Sequence, residues 1–208
     1  MKKHLSAILI AVLVLLCAGC GDISLPDRFA DTTEPELQTT QEVLPVPDEA
    51  AVRNAFDKAV EVYGWFDLCS LDSDSADTVE YGGETYNRVV SDAVPSYDAL
   101  RTLVYDLFDT ATGDALLRED SETPPYIDVN GSLYALDFAR GVDMSRGAYT
   151  LSVEVQNSSA ILCRVTVETL EYDADADEYR HVNGSEDLLY HYQRVGQRWV
   201  FTDFSLFY

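Results

Sequence analysis

The chain has 208 residues, 47% of them hydrophobic and 11% aromatic, enough for one packed domain and crowded for two. Its 37 acidic and 14 basic residues give a net charge of −23, which excludes nucleic acid as a partner because both surfaces are strongly negative. The same balance disfavours electrostatic adhesion to anionic lipid and leaves a basic protein or a cationic ligand as a partner; keeping the chain soluble is the plainer use of the charge.

Met1-Lys2-Lys3-His4 supplies a basic start, and the apolar run from Leu5 to Leu16 is too short for a stable membrane span, the pattern of an export signal. The run ends in Leu16-Cys17-Ala18-Gly19-Cys20, which resembles the lipobox of bacterial lipoproteins. That resemblance implies cleavage before Cys20, lipid on Cys20, and anchoring to the extracytoplasmic face of the cell membrane. Cys17 stands where Leu is usual, and bulky Leu15 and Leu16 before it keep it from being the lipidated residue. An ordinary secretory leader with release into the medium is the alternative. Residues 1–19 hold two basic residues and no acidic one, so the remainder carries −25.

Residues 20–47 show no hydrophobic period and are rich in Thr, Glu and Pro; Pro26, Pro35, Pro45 and Pro47 break any regular element, which predicts a tether. About 26 flexible residues have an r.m.s. span of roughly 30 Å and a stretched limit near about 90 Å, a reach suited to a partner in the cell wall.

A single domain is expected over residues 48–208. Pro47 and Asp48 mark a helix start, and Val52, Phe56, Ala59, Tyr63 and Phe66 recur at intervals of three or four to form its buried stripe. The stretch Asp72 to Asp77 predicts an acidic loop. Thr78 to Tyr81 and Glu84 to Val89 then flank a Gly82-Gly83 turn. A second helix follows the Ser96 cap, burying Leu100, Leu103, Val104, Leu107 and Phe108, and a short third covers about Asp114 to Glu119.

From there the period changes to two. Tyr126 to Val129 and Leu133 to Leu136 flank Asn130-Gly131, a dipeptide that takes positive φ cheaply and closes a type I′ hairpin. Tyr149 to Val155, Ile161 to Leu170, Leu188 to Val195 and Arg198 to Phe207 continue the strands. Ile161, Cys163, Val165 and Val167 are predicted on the buried face. Helices followed by a meander predict an α+β fold, with N-terminal helices packed on a curved antiparallel sheet.

Sequence motifs for catalysis or cofactor binding are missing: no G-x-S-x-G, H-E-x-x-H or Gly-rich phosphate loop occurs, and the one C-x-x-C lies in the apolar leader. No enzyme, cofactor or metal is expected on this ground. Cys69 or Cys163 could pair formally with His191, yet alternation puts Cys163 on the core face and shows no partner that would orient His191. For Cys69 and Cys163 two states stay open, a disulfide or two thiols. Asp173, Asp175 and Asp177 have the spacing that opens a calcium loop, but Glu178 stands where Gly is needed and Gly184 where a bidentate Glu belongs, so an acidic hairpin tip is expected.

Ala59 to Cys69, Thr85 to Val89 and Val195 to Phe204, which includes Gly196-Gln197-Arg198-Trp199, together resemble the IseA-type DL-endopeptidase inhibitors of Gram-positive bacteria. The resemblance covers about residues 48–208 and implies a cystatin- or NTF2-like fold. It also implies a partner, an NlpC/P60-type cell-wall hydrolase, which the chain blocks by protein–protein binding. The binding residues expected on charge are the acidic sets Asp72, Asp74, Asp77 and Asp173, Asp175, Asp177, which can mimic the carboxylates of peptidoglycan stems. A ligand-binding lipoprotein with an NTF2-like cavity is the alternative, and an enzyme would require groups such as Asp137 and His191 to converge.

Overall fold

Asp48 starts the first helix as its sequence predicts: its side chain accepts the Ala51 N–H at 2.8 Å and satisfies one of the open donors of the first turn. The structure, a computed structural model, describes residues 44–208. Cys20, the leader and most of the tether lie outside the described residues. Helix α1 spans Glu49–Asp67 and buries Val52, Phe56, Ala59, Val62 and Phe66. Tyr63 is only half-buried, so the stripe runs through Val62 instead.

Two four-stranded antiparallel sheets and three helices make the fold α+β. The first sheet contains β1 (Ser73–Tyr81), β2 (Glu84–Val89), β3 (Tyr126–Val129) and β4 (Ser132–Leu136) in the order β1-β2-β4-β3. Gly82 and Gly83 close β1 onto β2 with φ of +60° and +86°. A Cβ on Gly82 would stand 2.2 Å from the Glu122 carbonyl oxygen, so only glycine fits there. Asn130 and Gly131 take φ of +56° and +84° between β3 and β4, the turn predicted for that dipeptide. Helices α2 (Tyr97–Leu107) and α3 (Thr110–Leu117) lie between β2 and β3, capped by Ser96 and Asp109.

The second sheet is a meander of β5 (Arg146–Asn157), β6 (Ala160–Asp173), β7 (Glu178–Val195) and β8 (Arg198–Phe201). Ile161, Cys163, Val165 and Val167 are all buried on one face, as their alternation predicts. Phe56 of α1 meets Tyr190, Phe201, Phe204 and Phe207 at ring-centroid distances of 5.4, 5.9, 5.5 and 6.3 Å. Aromatic side chains therefore fill the space between α1 and this sheet. Among the described residues the buried core runs from Val52 to Phe207.

Three expectations are corrected. Asp72 to Asp77 is not a loop: Ser73 onward belongs to β1, and Ser75, Ala76 and Asp77 bulge out where Asp74 and Thr78 pair with the consecutive residues Arg88 and Asn87. Cross-strand pairing overrides the weak strand preference of this polar stretch. The last strand stops at Phe201, because Phe204 and Phe207 turn into the core instead of alternating along an edge. The strands form two sheets where one was expected.

Candidate functional site

The two acidic sets are not brought together. Asp72 precedes β1 and Asp74 and Asp77 lie in it, whereas Asp173, Asp175 and Asp177 surround the β6–β7 turn in the other sheet. Asp74 accepts the Ala76 N–H at 2.9 Å, and Asp77 accepts the Tyr134 hydroxyl at 2.9 Å and Arg88 at 3.2 Å. Both carboxylates thus make hydrogen bonds within the bulge and its sheet.

The β6–β7 hairpin is a different object. β6 runs beyond Thr169, the last residue that β5 pairs with, and β7 begins at Glu178, far ahead of the segment that β8 covers. The distal part is thus a two-stranded arm. Register pairs Leu170 with Val182 and Tyr172 with Tyr179, so these four side chains share one face of the arm. Tyr172, Tyr179 and Val182 are 48%, 40% and 59% exposed, and the two tyrosine rings meet edge-on at 5.3 Å.

Asp173 closes the turn at the arm's tip by accepting the backbone N–H groups of Asp175 and Ala176 at 2.9 and 3.3 Å. It also accepts Arg180 Nε at 2.8 Å and lies 3.3 Å from His181 Nε2. The Arg180 guanidinium, helped by those amides and His181, holds the Asp173 carboxyl below the ordinary aspartate range. Asp177, in the left-handed region at φ +56°, accepts the Tyr172 hydroxyl. Among the described residues, the Asp175 carboxylate makes no hydrogen bond or ion pair. The tip therefore presents Asp175 outward above an aromatic flank.

Cys69 is exposed and Cys163 buried, and both are free thiols, so of the two open states the structure shows the unbridged one. Burial pushes the Cys163 thiol up to about 11, which leaves it without thiolate at neutral pH. It faces the core, whereas His191 is exposed opposite Leu162, so the two form no catalytic pair. His191 does have an orienting partner that the sequence did not reveal: its Nδ1 lies 2.5 Å from Asp203 Oδ2. No hydrogen bond or ion pair joins Asp137 to His191 among the described residues.

A cavity of about 370 Å³ lies between the ends of α1, α3 and β4, lined by Phe66, Pro125, Leu136 and Phe138 together with Asp67, Arg118 and Arg140. Arg140 is paired with Asp67. Among the described residues no three His, Cys, Asp or Glu side chains gather as metal ligands, and no helix is long and apolar enough to cross a membrane. Comparison of the sequence with protein-family models and with curated proteins finds no match to either.

Proposed function

We propose that the chain is a membrane-anchored, extracytoplasmic lipoprotein that inhibits or modulates a peptidoglycan DL-endopeptidase of the NlpC/P60 type by protein–protein binding. The β6–β7 arm is the observation that carries this reading. A narrow two-stranded arm can enter a cleft that the body of a domain cannot. Asp175 at its tip offers a carboxylate like those of peptide stems, and Leu170, Tyr172, Tyr179 and Val182 offer an apolar face that excludes water around the contact. Internal use of Asp74 and Asp77 moves the proposed contact away from β1 to the arm. Lipid on Cys20 and the tether of residues 20–47 would hold the inhibitor near the wall. On this reading the fold is cystatin- or NTF2-like, with the leading helix packed on an antiparallel meander.

The cavity beside Phe66 and Phe138 favours a second reading, a ligand-binding lipoprotein, because its apolar lining also holds Arg118, a cation suited to a small carboxylate. Its rank is lower because the space between α1 and the β5–β8 sheet, where an NTF2-like cavity would open, is filled by Phe56, Phe201, Phe204 and Phe207.

Turnover of purified cell wall by an NlpC/P60 endopeptidase, with and without the chain from Gly21 to Tyr208, distinguishes the two. Near-stoichiometric inhibition that is lost on replacing Asp175 with Asn and both Tyr172 and Tyr179 with Ala supports the inhibitor. Unchanged turnover across several such hydrolases transfers the assignment to the ligand-binding reading.

A further inference from the structure

The four sheet edges among the described residues are not alike. β3 and β8 are four residues long, and β1 is interrupted by its bulge and carries Asp74 and Asp77. Short length, a bulge and charge each keep an edge from pairing with another chain. β5 is less protected: its charges, Arg146 and Glu154, and its irregularities lie toward its ends. It is twelve residues long, and its register with β6 runs without interruption from Tyr149 to Val155.

Charge is missing between Arg146 and Glu154. Gly147 to Val153 is a run of seven uncharged residues without proline, in a chain where 25% of residues are charged and the net charge is −23. Among the described residues, the backbone of Gly147–Gln156 makes no hydrogen bond outside the β5–β6 ladder, so every second N–H and C=O along the edge points away from the sheet unpaired. Tyr149 and Val155 are 40% and 57% exposed beside Leu151 and Val153, which pack on the core. An apolar rim thus runs along the open backbone groups.

We propose that β5 pairs with β5 of a second copy, antiparallel about a two-fold axis at Leu151, joining two β5–β8 sheets into one of eight strands. Self-pairing fits the residues. A two-fold at Leu151 sets Tyr149 against the partner's Val153, an aromatic and β-branched pair of the kind that stabilises sheets, and Thr150 against the partner's Ser152. Glu154 meets the partner's Ala148, so no carboxylate faces another across the seam. A basic partner, which the overall charge would attract, finds no carboxylate to recognise along Gly147–Val153. A second copy needs only backbone groups and an apolar rim, and β5 supplies both.

Light scattering and sedimentation of the chain from Gly21 to Tyr208, over micromolar to near-millimolar concentration, test the pairing beside the double variant Thr150→Lys and Ser152→Lys. Both positions are exposed, and the two-fold brings each new lysine opposite one on the other copy. The substitutions lower the net negative charge, so general repulsion cannot explain a loss of association. A wild-type dimer that becomes monomeric in the variant at unchanged melting temperature supports the proposal. Amides of Tyr149–Val155 should then exchange more slowly as concentration rises. A monomeric wild type overturns it even if those amides are protected, since another segment would then cover the edge. A dimer that survives the double variant also overturns it, because the seam must lie elsewhere.

Discussion

One carboxylate grips His191 twice: Asp203 Oδ1 accepts its backbone N–H at 2.8 Å, and Asp203 Oδ2 meets its ring Nδ1 at 2.5 Å. The contact ties the chain just after β8 to the C-terminal part of β7, and the Thr202 N–H donates to the His191 carbonyl at 3.1 Å beside it. Replacing Asp203 with Ala should cost about 1 kcal/mol and lower Tm by about 3 °C, a small effect because both side chains are about half exposed. Asn, which keeps an acceptor for the backbone N–H, should lose less. Equal melting of wild type and the Ala variant would remove the pair from the list of stabilising contacts.

The two thiols of the domain should respond very differently to alkylation. Cys69 is exposed, while Cys163 is buried with its thiol pushed up to about 11, so iodoacetamide at neutral pH should label one site in the folded chain from Gly21 and two in denaturant. No labelling in either state without reductant would mean that the two cysteines are joined.

Acid should loosen the arm by a route that can be followed at one residue. The folded-state pKa of Asp173 is depressed, first by Arg180. Its pairing therefore adds stability that is fully present above the ordinary aspartate pKa and is lost as pH falls through the depressed value. Arg180→Gln should move the Asp173 carboxyl titration, read by ¹³C NMR, upward toward the ordinary value. An unmoved midpoint would assign the depression to the backbone amides of Asp175 and Ala176 instead.

Local chemistry made the regular elements legible. Asp48 and Ser96 cap their helices where the sequence places caps, Asn130-Gly131 forms its turn, and Ile161 to Val167 alternates into the core. What stayed hidden depends on distant residues. Helix α3 begins at Thr110, earlier than predicted, and holds Gly113 in its interior, where a Cβ would stand 2.7 Å from the Tyr105 ring. β1 is strand because β2 pairs with it, not because Ser-Asp-Ser-Ala-Asp favours extension. Of the predicted binding aspartates, only the β6–β7 set lies on a projecting element, and that follows from strand lengths in a sheet whose edges no local pattern shows. The partner of His191 twelve positions on was equally invisible, since it depends on how the chain leaves β8.

Phe56 lies near the start of the domain, and two of the rings packed on it, Phe204 and Phe207, belong to the last five residues of the chain. The contact joins the first helix of the described domain to the segment after β8, so α1 cannot complete its packing until that segment has docked on it. Removing the two rings would leave Phe56 partly open, which makes this segment a clamp on the helix as well as a filler of space.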